Sequence, residues 1–116
     1  MSRDFRLLLD DILSAAHKVQ SYTVGMNFDQ FRNDAKTFDA VVRNLEIIGD
    51  AVKHISQDMR DRHTHIEWRR IAGLRDITVH EYFGVDENII WDVVQNEIPK
   101  LILQIELILD EDDASE

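Results

Sequence analysis

The stretch RDITVHEY, residues 75 to 82, brings a guanidinium, a carboxylate, an imidazole and a phenol into about two helical turns of chain. An imidazole with an ordinary pKa near about 6.5 can take or give a proton at neutral pH, and an arginine can grip a phosphate through two parallel hydrogen bonds. Cutting an RNA phosphodiester without a metal needs three things: a base for the 2'-hydroxyl, an acid for the leaving oxygen, and positive charge for the phosphorane. Arg75 and His80 are the candidate catalytic pair for that chemistry, and no metal site or cofactor is expected with them; read alone, an arginine and a histidine at a helix end are more often structural. If the stretch stays helical, Asp76 shares a face with His80, where its carboxylate can accept a hydrogen bond from the imidazole and fix the tautomer. Arg75 and His80 diverge by about 140° on the same helix. Either the helix ends before His80, or a second copy of the motif completes the site; a two-fold dimer would supply one histidine for each proton transfer and two arginines between them. Read alone, Tyr82 is an amphipathic residue at the edge of the core with its hydroxyl in water.

The elements that must position these residues read as helices. Apolar residues at 5, 8, 9, 12, 16 and 19 give the i, i+3, i+4 spacing of a first helix running to about Gln20, with Ser2 as its cap. Gly25 breaks the period, and Asn27 or Asp29 can cap a short segment leading into a long one. Phe38, Val41, Val42, Leu45, Ile48, Val52, Ile55 and Met59 make the second stripe. DMRDRHTHIEW has no apolar period and reads as a surface connection, with a third helix starting near Ile66 and carrying Trp68, Ile71, Ala72 and Val79 on its apolar side. Gly84 stops that helix, Asp86 caps the last one, and Val85 is placed to staple against Ile89 or Ile90. Pro99 lies inside the final stripe and lacks the amide hydrogen that would bond the Gln95 carbonyl, which predicts a bend and not an end. The fold expected is all-α, an antiparallel bundle of four to five helices, as one domain over residues 1–109 with an acidic, mobile tail over 110–116.

Composition narrows the function. Five Gly plus Pro among 116 residues favour helix over turn-rich sheet, and without cysteine there is no disulfide, thiolate site or cysteine nucleophile. No apolar run approaches a membrane span and the N-terminus alternates charge with apolar residues, so the cytoplasm is the expected location and no membrane partner is expected. A net charge of -10 argues against a general nucleic-acid binder. The charge is uneven, however: Lys53 to His80 holds six Lys or Arg against four acids and four of the five histidines, leaving seven basic and nineteen acidic residues elsewhere. That segment either guides a polyanion or simply solvates a helix and a loop.

His63 and His65 read as exposed loop residues, since no histidine has the Glu three residues upstream that helical di-metal sites use. Asp50 and His54, one turn apart, read as a surface or interhelical hydrogen bond. Glu46 and Asp50 flank Gly49, so two carboxylates can line a helix face where another backbone comes close; they either orient Arg75, contact a partner, or are solvated acids. Trp68 and Trp91 fall on apolar stripes and read as packing residues.

The wider stretch IAGLRDITVHEYFGVDENIIWDVV resembles the HepT family of HEPN-domain ribonuclease toxins, whose signature is Arg, four residues, His, any residue, Tyr, then a Phe-Gly-Val-Asp-like turn and a Trp-bearing last helix. Arg75, His80 and Tyr82 match it position for position. VVRNLEIIGDAVKHIS is similar to the family's second block, and with LLLDDILSAAHKVQSYTVG the likeness covers nearly the whole chain. Two departures stand out: Asp76 where the family often has Asn, and Asp50 where it has a longer carboxylate after the glycine. The resemblance implies a HEPN-like bundle that forms a homodimer, a cleft that cuts RNA without metal using Arg75 and His80, and a toxin silenced by a minimal nucleotidyltransferase antitoxin that transfers AMP to Tyr82. The alternative it leaves open is a non-catalytic helical module that binds nucleotide or partners a nucleotidyltransferase.

Overall fold

The computed structural model describes residues 1–79 and 86–114. His80, Tyr82, Gly84 and Val85 lie outside the described residues. Among those described, every regular element is helical. Helix α1, Arg3–Thr23, opens on Ser2, whose hydroxyl accepts from the Phe5 amide at 3.1 Å. It ends where Gly25 takes φ 78°, a left-handed conformation that glycine adopts without a Cβ penalty. Asn27 and Gln30 then form a reciprocal capping box for α2, Phe28–Asn33. Asp34 caps the long α3, Ala35–Lys53, accepting from the Thr37 amide and hydroxyl at 3.1 and 2.9 Å.

The segment read as a surface connection contains a further helix, α4, Gln57–Arg62, capped by Ser56. Met59, read as the end of the second stripe, belongs to this helix, and with α3 ending at Lys53 that single apolar residue gives α4 no period of its own. The next helix, α5, Trp68–Ala72, starts two residues later than expected, because Ile66 is buried in the connection and its carbonyl takes the Trp68 amide at 2.9 Å. Gly73 separates α5 from α6, Leu74–Val79. Asp86 caps α7, Glu87–Asp92, through the Asn88 amide. The chain continues through a π-helical turn, Val93–Glu97, directly into α8, Ile98–Ala114. In that turn the Ile98 amide reaches back five residues to the Val93 carbonyl. The wider turn just upstream is how the helix passes Pro99, which has no amide to donate and a ring that crowds the preceding turn.

The core is one cluster filled from three long helices: Leu9, Ile12 and Val19 of α1, Val41, Leu45, Ile48 and Val52 of α3, and Ile98, Ile105 and Ile108 of α8. Arg6 on the first turn of α1 meets Asp112 and Asp113 on the last turn of α8 at 2.9 and 2.8 Å, so these helices run antiparallel. Asp110 to Ala114, read from the sequence as the start of a mobile tail, thus continue α8. Trp91 packs on Phe31 and Phe28, and Trp68 is buried with its indole N–H given to the His63 carbonyl at 3.0 Å. His63 corrects the reading of an exposed loop residue: it is half-buried and its ring stacks on Phe5 at 5.9 Å, while His65 is exposed. No helix among the described residues is long and apolar enough to cross a membrane.

Candidate active site on helices α3 and α6

Helix α6 crosses α3 at Gly49. A Cβ at that position would lie 2.7 Å from the Arg75 backbone nitrogen and 2.9 Å from the Arg75 Cβ, so the two backbones are in direct contact there. Only glycine permits the approach. Leu74 is buried beside the crossing and Ile77 is half-buried against the same core, which fixes the roll of α6 and leaves Arg75 facing α3. Glu46, Gly49 and Asp50 share one face of α3 by their i, i+3, i+4 spacing. The Arg75 guanidinium lies along that face, with Nη1 3.7 Å from Glu46 Oε1 and Nε 3.3 Å from Asp50 Oδ1. Glu46 is also held by Arg43 at 3.5 Å.

Of the readings open to Glu46, Gly49 and Asp50, the structure favours the one that serves the arginine, because all three lie against Arg75. It also separates Asp50 from His54, whose side chain is exposed at the end of α3. One residue of this region went unnoticed in the sequence. Thr78 is fully buried, and its hydroxyl donates to the Arg75 carbonyl at 2.8 Å, tying the last turn of α6 to the residue that carries the guanidinium. The available signal was a β-branched hydroxyl three residues after the arginine on an otherwise apolar helical side.

Asp76 lies on the solvent side of α6. Its side chain is 75% exposed and lies 4.0 Å from Lys53 Nζ, so within the described residues its contact is a weak cross-helix pair. The link from Asp76 to His80 and the role of Tyr82 fall outside the described residues. Helix α6 is regular through Val79, the residue immediately before His80.

Charges around the site are mostly engaged with the protein itself. The Arg60 guanidinium donates to the carbonyls of Val52 and Ile55 at 2.8 and 3.2 Å and so closes the C-terminal end of α3. Arg62 pairs with Asp58 at 3.5 Å, and Arg70 pairs with Glu67 and Glu97. Among the described lysines and arginines from Lys53 to Thr78, Arg69 alone has neither an ion pair nor a carbonyl partner. The locally basic segment is therefore far less available to a polyanion than its composition suggests, and Arg75 is the cation that the fold aims and holds.

A family model, Ribonuclease HepT-like, matches residues 12–108. "Putative RNase MJ0127" of Methanocaldococcus jannaschii is 42% identical over 92% of this chain and 88% of its own. "Putative RNase TTE0752" of Caldanaerobacter subterraneus is 41% identical over 90% of this chain and 93% of its own, and "Probable ribonuclease HepT" of Thermococcus cleftensis is 42% identical over 87% and 92%. No solved structure matches the chain. A match that spans α1 to α8, and with them both the Glu46–Asp50 face and Arg75, settles the lineage: the chain belongs to the HepT-like ribonuclease family.

Proposed function

We propose that the protein is the toxin of a toxin-antitoxin pair, an endoribonuclease that works without a metal ion from a cleft shared by two copies of the chain. Arg75 binds the scissile phosphate and neutralises charge as the phosphorane forms. His80 of one copy removes the 2'-hydroxyl proton, the 2'-oxygen attacks phosphorus, and His80 of the other copy returns a proton to the departing 5'-oxygen. The observation that carries this reading is the placement of Arg75. Its backbone is locked against Gly49, its guanidinium is oriented by two carboxylates, and its side chain remains 34% exposed, which suits a phosphate ligand and not a buried structural ion pair. Family membership supplies the reaction class.

Silencing follows from the same place. A nucleotidyltransferase partner would let the Tyr82 phenolic oxygen attack the α-phosphorus of ATP; the oxygen–phosphorus bond forms, pyrophosphate leaves, and the phenolic proton goes to solvent. The attached AMP carries bulk and negative charge close in sequence to Arg75, where substrate phosphate would bind.

The test is cleavage of RNA in excess EDTA by wild type, Arg75→Ala and His80→Ala. Cleavage by wild type that both substitutions abolish supports the enzyme, and equal activity in all three preparations overturns it by exposing a contaminant. Binding of nucleotide or partner without any cleavage would favour the non-catalytic module. For regulation, incubation with ATP and the partner should raise the intact mass by whole AMP units in wild type and not in Tyr82→Phe. A strict monomer in solution would remove the shared cleft.

A further inference from the structure

We propose that Asp50 is a displaceable stand-in for the substrate phosphate on Arg75, while Glu46 is the residue that keeps the guanidinium aimed when the exchange occurs. The inference rests on Arg75 being the phosphate ligand, as argued above. A guanidinium offers parallel N–H pairs along its Nε/Nη2 edge and its Nη1/Nη2 end. Asp50 sits at Nε, 3.3 Å away, and so covers half of the first edge; Glu46 sits at Nη1, 3.7 Å away. A phosphate that takes the Nε/Nη2 edge with two bonds must evict Asp50 and need not disturb Glu46.

The two carboxylates are built for these different parts. Asp50 has a side chain 53% exposed, so once released it is solvated by water at little cost, and its bond to Arg75 is the screened kind. Glu46 is only 19% exposed and has a second cationic partner in Arg43, which holds it whether or not Arg75 moves. Asp50 is also one carbon shorter than glutamate, and it meets Nε beside the Gly49 crossing, where the two backbones touch. The outcome is an arginine that is held in place and neutralised until a stronger anion arrives, in a chain whose net charge of -10 otherwise repels RNA. Exchange of one oxyanion for another changes no covalent bond.

The measurement is binding of a fluorescent, uncleavable 2'-O-methyl RNA by anisotropy, beside KM and kcat on the cleavable RNA. Asp50→Asn should tighten Kd and lower KM by about three- to fivefold, the span of an exposed ion pair removed from competition. Asp39→Asn, the same charge change on an exposed acid of the same helix, should do markedly less. Asp50→Glu should bring Kd back toward wild type. Glu46→Gln should instead act on kcat, by about tenfold, with Kd within about twofold, because it loosens aim and not access. In an Arg75→Ala background the gain from Asp50→Asn should shrink to that of Asp39→Asn. Equal effects of Asp50→Asn and Asp39→Asn, a weaker Kd in Asp50→Asn, or a gain that persists without Arg75 would each overturn the exchange. If wild type does not cleave but the Arg75-dependent gain is seen, the exchange stands and the nuclease reading falls. If cleavage needs Arg75 and His80 but Asp50→Asn is silent, the exchange alone fails.

Discussion

Gly49→Ala separates a glycine kept for packing from one kept for its backbone. In the interior of α3, alanine is intrinsically better than glycine by about 1 kcal/mol. At Gly49, however, the added carbon starts 2.7 Å from the Arg75 nitrogen, and ordinary contact begins near 3.4 Å, so α6 must retreat by about 0.7 Å at the point from which Arg75 departs. Overpacking of that kind costs about 1–3 kcal/mol. The net is a loss of about 0–2 kcal/mol, which lowers the melting midpoint by no more than about 10 °C and leaves the chain folded at 25 °C. Activity should suffer more. A shift approaching 1 Å in a positioning group costs up to about a hundredfold in rate, so we expect kcat/KM on RNA to fall about ten- to a hundredfold while circular dichroism reports a native helix content. Gly25→Ala is the counterpart: a Cβ there meets open space, but φ of 78° strains it, so stability should drop while cleavage is retained. A Gly49→Ala protein that melts higher than wild type and cleaves within about twofold of it would refute the claim that α6 is seated on this glycine.

Three further outcomes follow from individual contacts. Arg60→Met removes two charged hydrogen bonds to the end of α3, and a loss of about 1–3 kcal/mol should appear in thermal melts with kcat/KM intact, because Arg60 serves α3 and not RNA. Thr78→Val keeps shape but deletes the hydroxyl that donates to Arg75, which should cost about 0.5–1.5 kcal/mol by denaturant titration and reduce kcat through a looser α6. His63 has its pKa lowered by burial first, with His65 and Arg62 acting in the same direction and Glu111 opposing. The unfolded chain therefore binds the proton more readily than the folded one. Stability contributed above the ordinary imidazole pKa is lost as pH falls through it and on through the lowered folded value, and His63→Phe, which keeps an aromatic ring against Phe5, should flatten the decline of melting midpoint between pH 7.5 and 5.5, about the window set by an imidazole.

What the sequence made legible was whatever repeats with a helical period or terminates one. The stripes on α1 and α8, the second stripe as far as Val52, and the caps at Ser2, Asn27 and Asp86 are local, and the structure has them where spacing put them; Ile55 and Met59 continue the second stripe's period but lie beyond the end of α3 at Lys53. Helix α4 was not legible because a helix with no buried residue leaves no stripe, and His63 was misjudged because its partner, Phe5, lies nearly sixty residues away. The site divides in the same way. Arg75 and the Glu46–Gly49–Asp50 face could be recognised as two local patterns, but their contact is a tertiary fact. Even so, a glycine between two acids on one helix was a sign that something cationic crosses there. Asp76 makes the same point: its pair with Lys53 joins two helices, so the helical face it shares with His80 could not reveal it.

Net charge and local pairing together set how RNA recognition must depend on salt. A protein that holds nucleic acid through a basic surface releases one counterion per neutralised phosphate, and its affinity falls steeply as salt rises. Here Lys53, Arg62 and Arg70 are paired with acids and Arg60 with carbonyls, so each must give up or share a partner to take a phosphate. Arg75 remains, with Arg69 as the one unengaged neighbour among the described residues, and Arg75 itself trades a carboxylate for a phosphate. In the proposed two-copy cleft, two Arg75 side chains would give a slope of log Kd against log salt of about 1.4, and adding Arg69 from each copy would raise it to about 2.8, using about 0.7 per contact on a single strand. Anisotropy with uncleavable RNA from 50 to 300 mM salt, on the order of the range where such slopes are linear, should return a value in that window. A slope steeper than about 5 would mean many phosphate contacts, and the reading of this molecule as an acidic body with a few aimed arginines would have to be given up.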